Sequence, residues 1–391
     1  ASLSDDANER QQFIAAAEHC HAHNVRFPNS LDEVQMLQSL GDSAFARYLL
    51  GCFWYSKRRY DEAVSCWRET LEKSPDYAPA HRLLGVYSWN KQQDATQALA
   101  YLQRAVALEP DNARFLFELD FLQKLLARPV HERLTTLVER KAVVLKRDDL
   151  TAELLSLWNA SGHYADAAAI LDTRVFHPWE GGEGKITGQY LLNQLHLALQ
   201  FIERGAFKQA TDCLKAALRY PDNLGEGRLP GQTDNDIWYL LGYCAEQAGD
   251  AQQAAEYYQL ARQGGSTLDA GRYYNDQPAD YLFWQGIALR KSGNPAQAEQ
   301  HFRHFIDWAA QHRDDVPQVD FFAVSLPDLV VLDVSAQQRH LQHCLFIEAL
   351  GHLGLGNVSA CQQRMQQLLQ INPAHDKAHL IRHALQSGIF S

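Results

Sequence analysis

Between residues 235 and 268, small and large apolar residues fall at Trp238, Leu241, Gly242, Ala245, Ala254, Tyr258 and Ala261. Spacings of three and four on either side of a polar break predict a pair of amphipathic helices joined by a tight turn. The small residues mark where the two helices cross closely, and the large ones fill the holes between them. Comparable spacing recurs through most of the chain with a period near 34 residues. One such hairpin cannot bury its own apolar face, so the repetition predicts hairpins stacked on their neighbours around a continuous core.

This is the spacing of the tetratricopeptide (TPR) unit. The expected fold is all-α: a right-handed superhelical solenoid of about eight helical hairpins with capping helices at both ends. The first clear unit uses Leu50, Gly51, Trp54, Ala63, Trp67 and Pro75. The second uses Leu84, Gly85, Ala98, Leu102, Ala105 and Pro110, with one extra residue in its turn. A degenerate third unit covers about 112–146, where Pro129 blocks helix continuation and serves as the turn. The fourth carries Gly162, Tyr164, Ala167 and Leu171, and the fifth Gly205, Phe207, Ala210, Leu214 and Ala217. The sixth is the unit described first. The seventh carries Gly286, Gly293, Ala298 and Phe302, and the eighth Gly356, Cys361, Met365, Leu368 and Pro373. These divide the chain into N-terminal capping helices (1–43), units one to four (44–174), units five to eight (175–374) and a C-terminal capping helix (375–391). Ser30 or Asp32 is the expected N-cap of the second N-terminal helix. The best strand-like run, 330–334, is too isolated to support a β/α alternative. A closed ring of helical hairpins shares the period but not the Gly/Ala/Pro offsets.

The second half departs from this regularity. Residues 175–188, 221–234, 263–278 and 313–336 are extra, and each lies between the second helix of one unit and the first helix of the next. Hairpins alternate direction, so such connections emerge along one edge, and the four insertions are expected side by side on one rim. Insertions grouped on one face of a solenoid commonly form its binding surface. The candidate ligand-binding residues are Trp179, Glu180 and Glu183 in the first insertion, Glu226 in the second, Tyr274, Asn275 and Asp276 in the third, and Phe321, Phe322 and Asp328 in the fourth. Stacking aromatics with carboxylates and side-chain amides suit a sugar or another polyol. The bland alternative is that the aromatics plug gaps between repeats and the acids are solvated or cap helices.

Composition narrows the functional classes. The 391 residues are 46% hydrophobic, enough for a continuous core, and carry a formal net charge of −11 from 47 acids against 36 Lys and Arg. That balance argues against a phosphate-backbone ligand, so no nucleic-acid partner is expected. No apolar run approaches a membrane span, and residues 1–10 are polar and acidic rather than secretory. The first residue is alanine, which fits either processing or a piece of a longer protein. Seven scattered cysteines without a C-x-x-C pattern fit free thiols in a reducing compartment.

The 181–187 stretch superficially resembles the end of a phosphate-binding loop, but Trp179 stands where its first glycine belongs and Ile186 follows the lysine. His19 and His23 share a helix face without a third metal ligand, and His340 and His343 fare no better, so no metal or other cofactor is expected. Ser325 lacks a nucleophile-elbow context. Paired carboxylates are the one enzymatic option. Glu180 or Glu183 with Glu226 or Asp276 would serve as acid and base on a glycosidic bond at separations of ~5–5.5 Å or ~6.5–9.5 Å.

The strings FHPWEGGEGK, NLGEG, YYNDQP and FFAVSLPD, with Arg147-Asp148-Asp149-Leu150 upstream, resemble the C-terminal TPR region of a bacterial family of large proteins of unknown function. In that family the repeats follow a β-rich domain similar to sugar mutarotases. The resemblance covers nearly the whole chain and implies a cytoplasmic bacterial protein with a carbohydrate connection. It supplies no reaction and no catalytic residues. The leading expectation is therefore a non-catalytic interaction module that docks a protein partner or a β-rich domain of the same polypeptide and helps complete a carbohydrate site. A sugar-binding surface and a glycoside-active enzyme are the alternatives.

Overall fold

A computed structural model describes residues 12, 27–41, 43–269, 276–317 and 331–390. Their regular structure is entirely helical, with nineteen α-helices in chain order and no strand among the described residues. They fall into two compact units, one within 1–122 together with 331–333, the other within 123–330 and 334–391.

The first unit begins with α1 (Leu31–Ser39), whose N-cap Ser30 and N3 residue Glu33 form a reciprocal capping box. Two hairpins follow, α2 (Ala44–Ser56) with α3 (Tyr60–Lys73) and α4 (Ala78–Tyr87) with α5 (Ala95–Leu108). Their crossings explain the repeat offsets. A Cβ on Gly51 would lie 2.3 Å from the buried Trp67 indole, and one on Gly85 would lie 2.9 Å from Leu102. The extra residue in the second repeat is absorbed by a π-helical turn at Ser88–Gln92, closed by Gln93 at φ +56°. A π-bulge is the usual way to fit one surplus residue into a helix. Residues 331–333 join this turn: Trp89 Nε1 donates to the Asp333 carbonyl (2.9 Å) and Asn90 Nδ2 to that of Val331 (2.8 Å). The strand-like reading of this segment is thus replaced by irregular backbone held by side chains. α6 (Ala113–Leu125) follows in the chain.

In the second unit, α7 (Val130–Glu139) follows Pro129, as expected for a proline-defined turn, and a short α8 (Lys141–Val144) leads to the regular hairpins. These are α9 (Asp148–Ala160) with α10 (Tyr164–Thr173), α11 (Lys185–Glu203) with α12 (Phe207–Ala217), α13 (Asn235–Gln247) with α14 (Ala251–Ala261), α15 (Tyr281–Lys291) with α16 (Pro295–His312), and α17 (Ala336–Gly354) with α18 (Val358–Ile371). The same close crossing recurs at Gly242 against Tyr258 and Gly286 against Phe302. One apolar core runs from α11 to the chain's last described residues.

The last helix, α19 (Asp376–Gln386), does more than close the stack. Asp376 accepts from Ser156 Oγ on α9 and Gln189 Nε2 on α11, both at 2.7 Å. Lys377 pairs with Asp280, which precedes α15, and reaches toward Asp236 on α13. Beyond the helix, Tyr239 on α13 donates to the Ile389 carbonyl, and Phe390 packs on Phe283 and Trp284 of α15. α19 and its tail therefore touch the first helix of four successive hairpins.

The six cysteines among the described residues are free thiols. Burial pushes Cys52 and Cys361 up to about 12 and Cys66, Cys244 and Cys344 up to about 11, so all five stay protonated and inert at neutral pH. Cys20 lies outside the described residues.

Candidate functional site

Three of the four insertions meet within the second unit. The first two are joined through backbone: Phe176 N–H donates to the Asn223 carbonyl (2.8 Å), and Asn223 Nδ2 returns to the carbonyls of Leu171 and Arg174 (2.7 and 2.8 Å). Gly225, at φ +79°, sits against the Phe176 carbonyl, where a Cβ would approach to 2.5 Å. Gly184 N–H then donates to both Glu226 oxygens (3.1 and 3.0 Å), with Thr187 Oγ1 at 3.4 Å. Gly184 is the N-cap of α11, so the Glu226 carboxylate sits at a helix N-terminus, where unsatisfied N–H groups and the helix dipole favour negative charge.

The third insertion is tied to the second by Asn235, whose Nδ2 donates to the carbonyls of Ala261 and Gln263 (2.8 and 2.6 Å). It folds on itself through Gln277, which accepts from Gly265 N–H (2.8 Å). At the end of the second insertion, Asp234 takes up φ +45° and ion-pairs with Arg228, whose guanidinium lies 5.9 Å from the Tyr220 ring centre.

Together these segments enclose a cavity of about 590 Å³. The first insertion contributes Gly184, Thr187 and Gly188, and the second Glu226, Gly227, Leu229 and 231–234. The third contributes Gly264, Gly265, Asp276, Gln277 and Pro278. Leu191, Leu192, Leu195 and Ile237 supply apolar surface, while Tyr220, Asp236, Tyr281 and Lys377 complete the lining. Lys377 Nζ lies 3.2 Å from Asp280, 3.8 Å from Asp236 and 5.2 Å from the Tyr281 ring centre. Burial disfavours its ammonium, but Asp280 and Asp236 outweigh that and raise its pKa, so it is cationic at neutral pH. Burial pushes the Asp236 carboxyl up, against the pull of Lys377 and with Asp280 adding to the rise. The lining thus combines apolar side chains with carboxylates, amides, hydroxyls, two phenols and one ammonium.

Of the residues singled out in the sequence, Glu226 and Asp276 line this cavity. Glu180 and Glu183 are exposed and outside its lining, so the structure does not bring them there as partners for Glu226 or Asp276. Trp179 folds back on its own loop: a Cβ on Gly182 would lie 2.0 Å from its indole, and Gly182 N–H donates to its carbonyl. Trp179 thus packs within its own insertion, which is neither a contact between repeats nor a place in the cavity lining. Tyr274, Asn275, Phe321, Phe322 and Asp328 lie outside the described residues. His340 and His343 bind the carbonyls of His312 and Leu268, and no group of three or more potential metal ligands occurs among the described residues.

Sequence reasoning missed Tyr220, Asp236, Tyr281 and Lys377. Tyr220 directly precedes the second insertion, while Asp236 and Tyr281 open the helices that follow the second and third, so extending each insertion by a few residues would have found them. No local signal marks Lys377, whose place depends on the path of α19.

Comparison with known proteins supports the repeat assignment: a tetratricopeptide repeat family model matches residues 54–113 and 195–271. Among solved structures, the chain is similar to PilW, a type IV pilus biogenesis factor (17% identity, 55% of this chain and 90% of that one, TM-score 0.29). It is similar to pilF of Pseudomonas aeruginosa (16% identity, 68% and 91%, TM-score 0.27). It is also similar to the quorum sensor NprR from B. thuringiensis in its apo form (12% identity, 94% and 99%, TM-score 0.35).

Proposed function

We propose that this chain is a TPR interaction module whose rim-loop cavity receives a polyhydroxylated ligand, a carbohydrate, while a protein partner or a β-rich domain of the same polypeptide docks beside it. The observation that carries the reading is the convergence of insertions near 184, 226 and 276 around one cavity. The repeats supply an extended surface of the kind that suits protein ligands, and the loops add a concave site with directed polar groups. Tyr220 and Tyr281 line the cavity, with Arg228 and Lys377 over their rings. Asp276, Gln232, Gln277 and Thr233 offer the acceptors and donors a sugar needs.

A glycoside-active enzyme is the weaker reading. Glu180 and Glu183 lie off the cavity, and Glu226 is spent on Gly184 and Thr187, which favours recognition over catalysis.

Calorimetric titration of the chain with a panel of mono- and disaccharides tests the proposal. Saturable binding that Asp276→Ala reduces at least tenfold supports it. Sugar binding by a longer polypeptide but not by this chain would assign the pocket to both parts. Absence of binding in either would overturn the carbohydrate reading.

A further inference from the structure

Four histidines at the seat of α19 are held in contacts that uncharged imidazoles satisfy. His379 donates from Nε2 to the Pro373 carbonyl (2.8 Å) and accepts at Nδ1 from the Arg382 guanidinium (2.8 Å). A guanidinium has no acceptor, so that Nδ1 carries a lone pair. His375 Nδ1 accepts from Ala378 N–H (3.2 Å) and caps α19. His196 on α11 and His383 on α19 meet Nδ1 to Nδ1 at 2.9 Å, so one donates and the other accepts. Tyr164 Oη lies 3.3 Å from His383 Nδ1, and Glu203 lies 3.4 Å from its Nε2. Both sets of neighbours are met if His383 accepts at Nδ1 and carries its proton at Nε2, a tautomer assigned from its partners. The Tyr164 ring stacks on both imidazoles, at 4.6 and 5.5 Å.

We propose that α19 is a pH-sensitive strap: neutral histidines hold it across the first helices of the second unit, and acidification releases it, uncovering that face and withdrawing Lys377 from the cavity wall. Protonating His379 sets an N–H against Arg382, protonating His375 removes the cap, and protonating both His196 and His383 sets two N–H groups face to face. Burial lowers all four, His196 to about 3 and His375 to about 4. Of the charged groups facing them, Glu203, Asp376 and Asp280 favour a proton, while Arg382 opposes one. Lys377 is matched by Asp280 and Asp236. The sign follows from linkage: a released histidine regains its ordinary value near 6.5 and takes up a proton that the docked one refuses. Docking is therefore fully favoured above about pH 6.5 and weakens as pH falls. Each histidine that behaves this way contributes roughly tenfold between pH 7.5 and 5.5. This inference is independent of what the cavity binds.

Hydrogen exchange on the intact chain, corrected for the intrinsic pH dependence of amide exchange, tests it. The expected result is that amides of 376–386 lose protection about a hundredfold or more relative to those of α13 and α15 between pH 7.5 and 5.5. The double variant His375→Asn/His379→Gln keeps the acceptors without titratable rings and is expected to lose the share of this dependence owed to those two residues, roughly tenfold each, while keeping the share owed to His196 and His383. Exchange of α19 in step with α13 and α15 at both pH values would overturn the proposal, even if the double variant failed to fold. Full pH dependence in a folded double variant would overturn it as well.

Discussion

Gly225 is held at φ +79° with a backbone carbonyl where its side chain would begin. Alanine there meets both an unfavourable conformation and a clash that no side-chain rotation relieves. Gly225→Ala is predicted to cost about 2–4 kcal/mol in urea unfolding and to loosen the first two insertions together. Asp276 is the opposite case. It is exposed on the cavity wall, so Asp276→Ala is expected to cost less stability than Gly225→Ala in the same urea measurement while weakening ligand binding. The sequence distinguished these residues incompletely. It showed a glycine-rich, acidic, aromatic rim. Whether an aromatic faces a ligand or its own loop depends on backbone geometry that composition does not encode, and Trp179 turned inward onto Gly182.

At the scale of elements, two carboxylates, Glu118 buried and Glu153 partly buried, fasten helices together. Glu118 on α6 is 1% exposed and accepts from Nε and Nη2 of Arg82 on α4, each at 2.6 Å, and from Arg114 Nε at 2.9 Å. Glu118→Ala strands the Arg82 guanidinium and is predicted to cost about 3–5 kcal/mol, measured as unfolding of the first unit. Glu153 on α9 bonds Lys124 and Arg133. Burial alone would raise its carboxyl, but the two cations outweigh that and hold it at about 2. Its folded value lies below its unfolded value near 4.5. Its contribution is thus fully present above about pH 4.5 and is lost as pH falls toward 2. A Glu153→Gln variant should show a flatter stability profile across that window.

The helices were legible because the Gly–large offsets are local and periodic. Even the surplus residue of the second repeat was visible, although its π-turn form was not. The course of α19 was hidden, because an amphipathic terminal helix reads the same whether it covers an end or crosses four hairpins.

For the whole molecule, the order of hairpins and the siting of insertions between them followed from repeat counting, and chain direction then predicted neighbours far apart in sequence. That reasoning brought the segments near 184, 226 and 276 to one cavity. Of the fourth insertion's described residues, 331–333 belong to the first unit, beside Trp89 and Asn90, while 313–317 and 334–336 belong to the second, and none lines the cavity. Stability in stacked repeats is a sum of neighbour interfaces. Damage at Glu118 and at Gly225 should therefore lower separate unfolding transitions, seen by calorimetry as two shifts that do not add in one peak.

The most direct test of the central claim is a hydrogen-exchange footprint of the second unit with and without a saturating sugar identified by titration. Amides in 184–188, 226–237, 264–269 and 276–281 are expected to slow together at one ligand concentration. Slowing confined to one stretch, or none in any of them, would contradict a shared cavity.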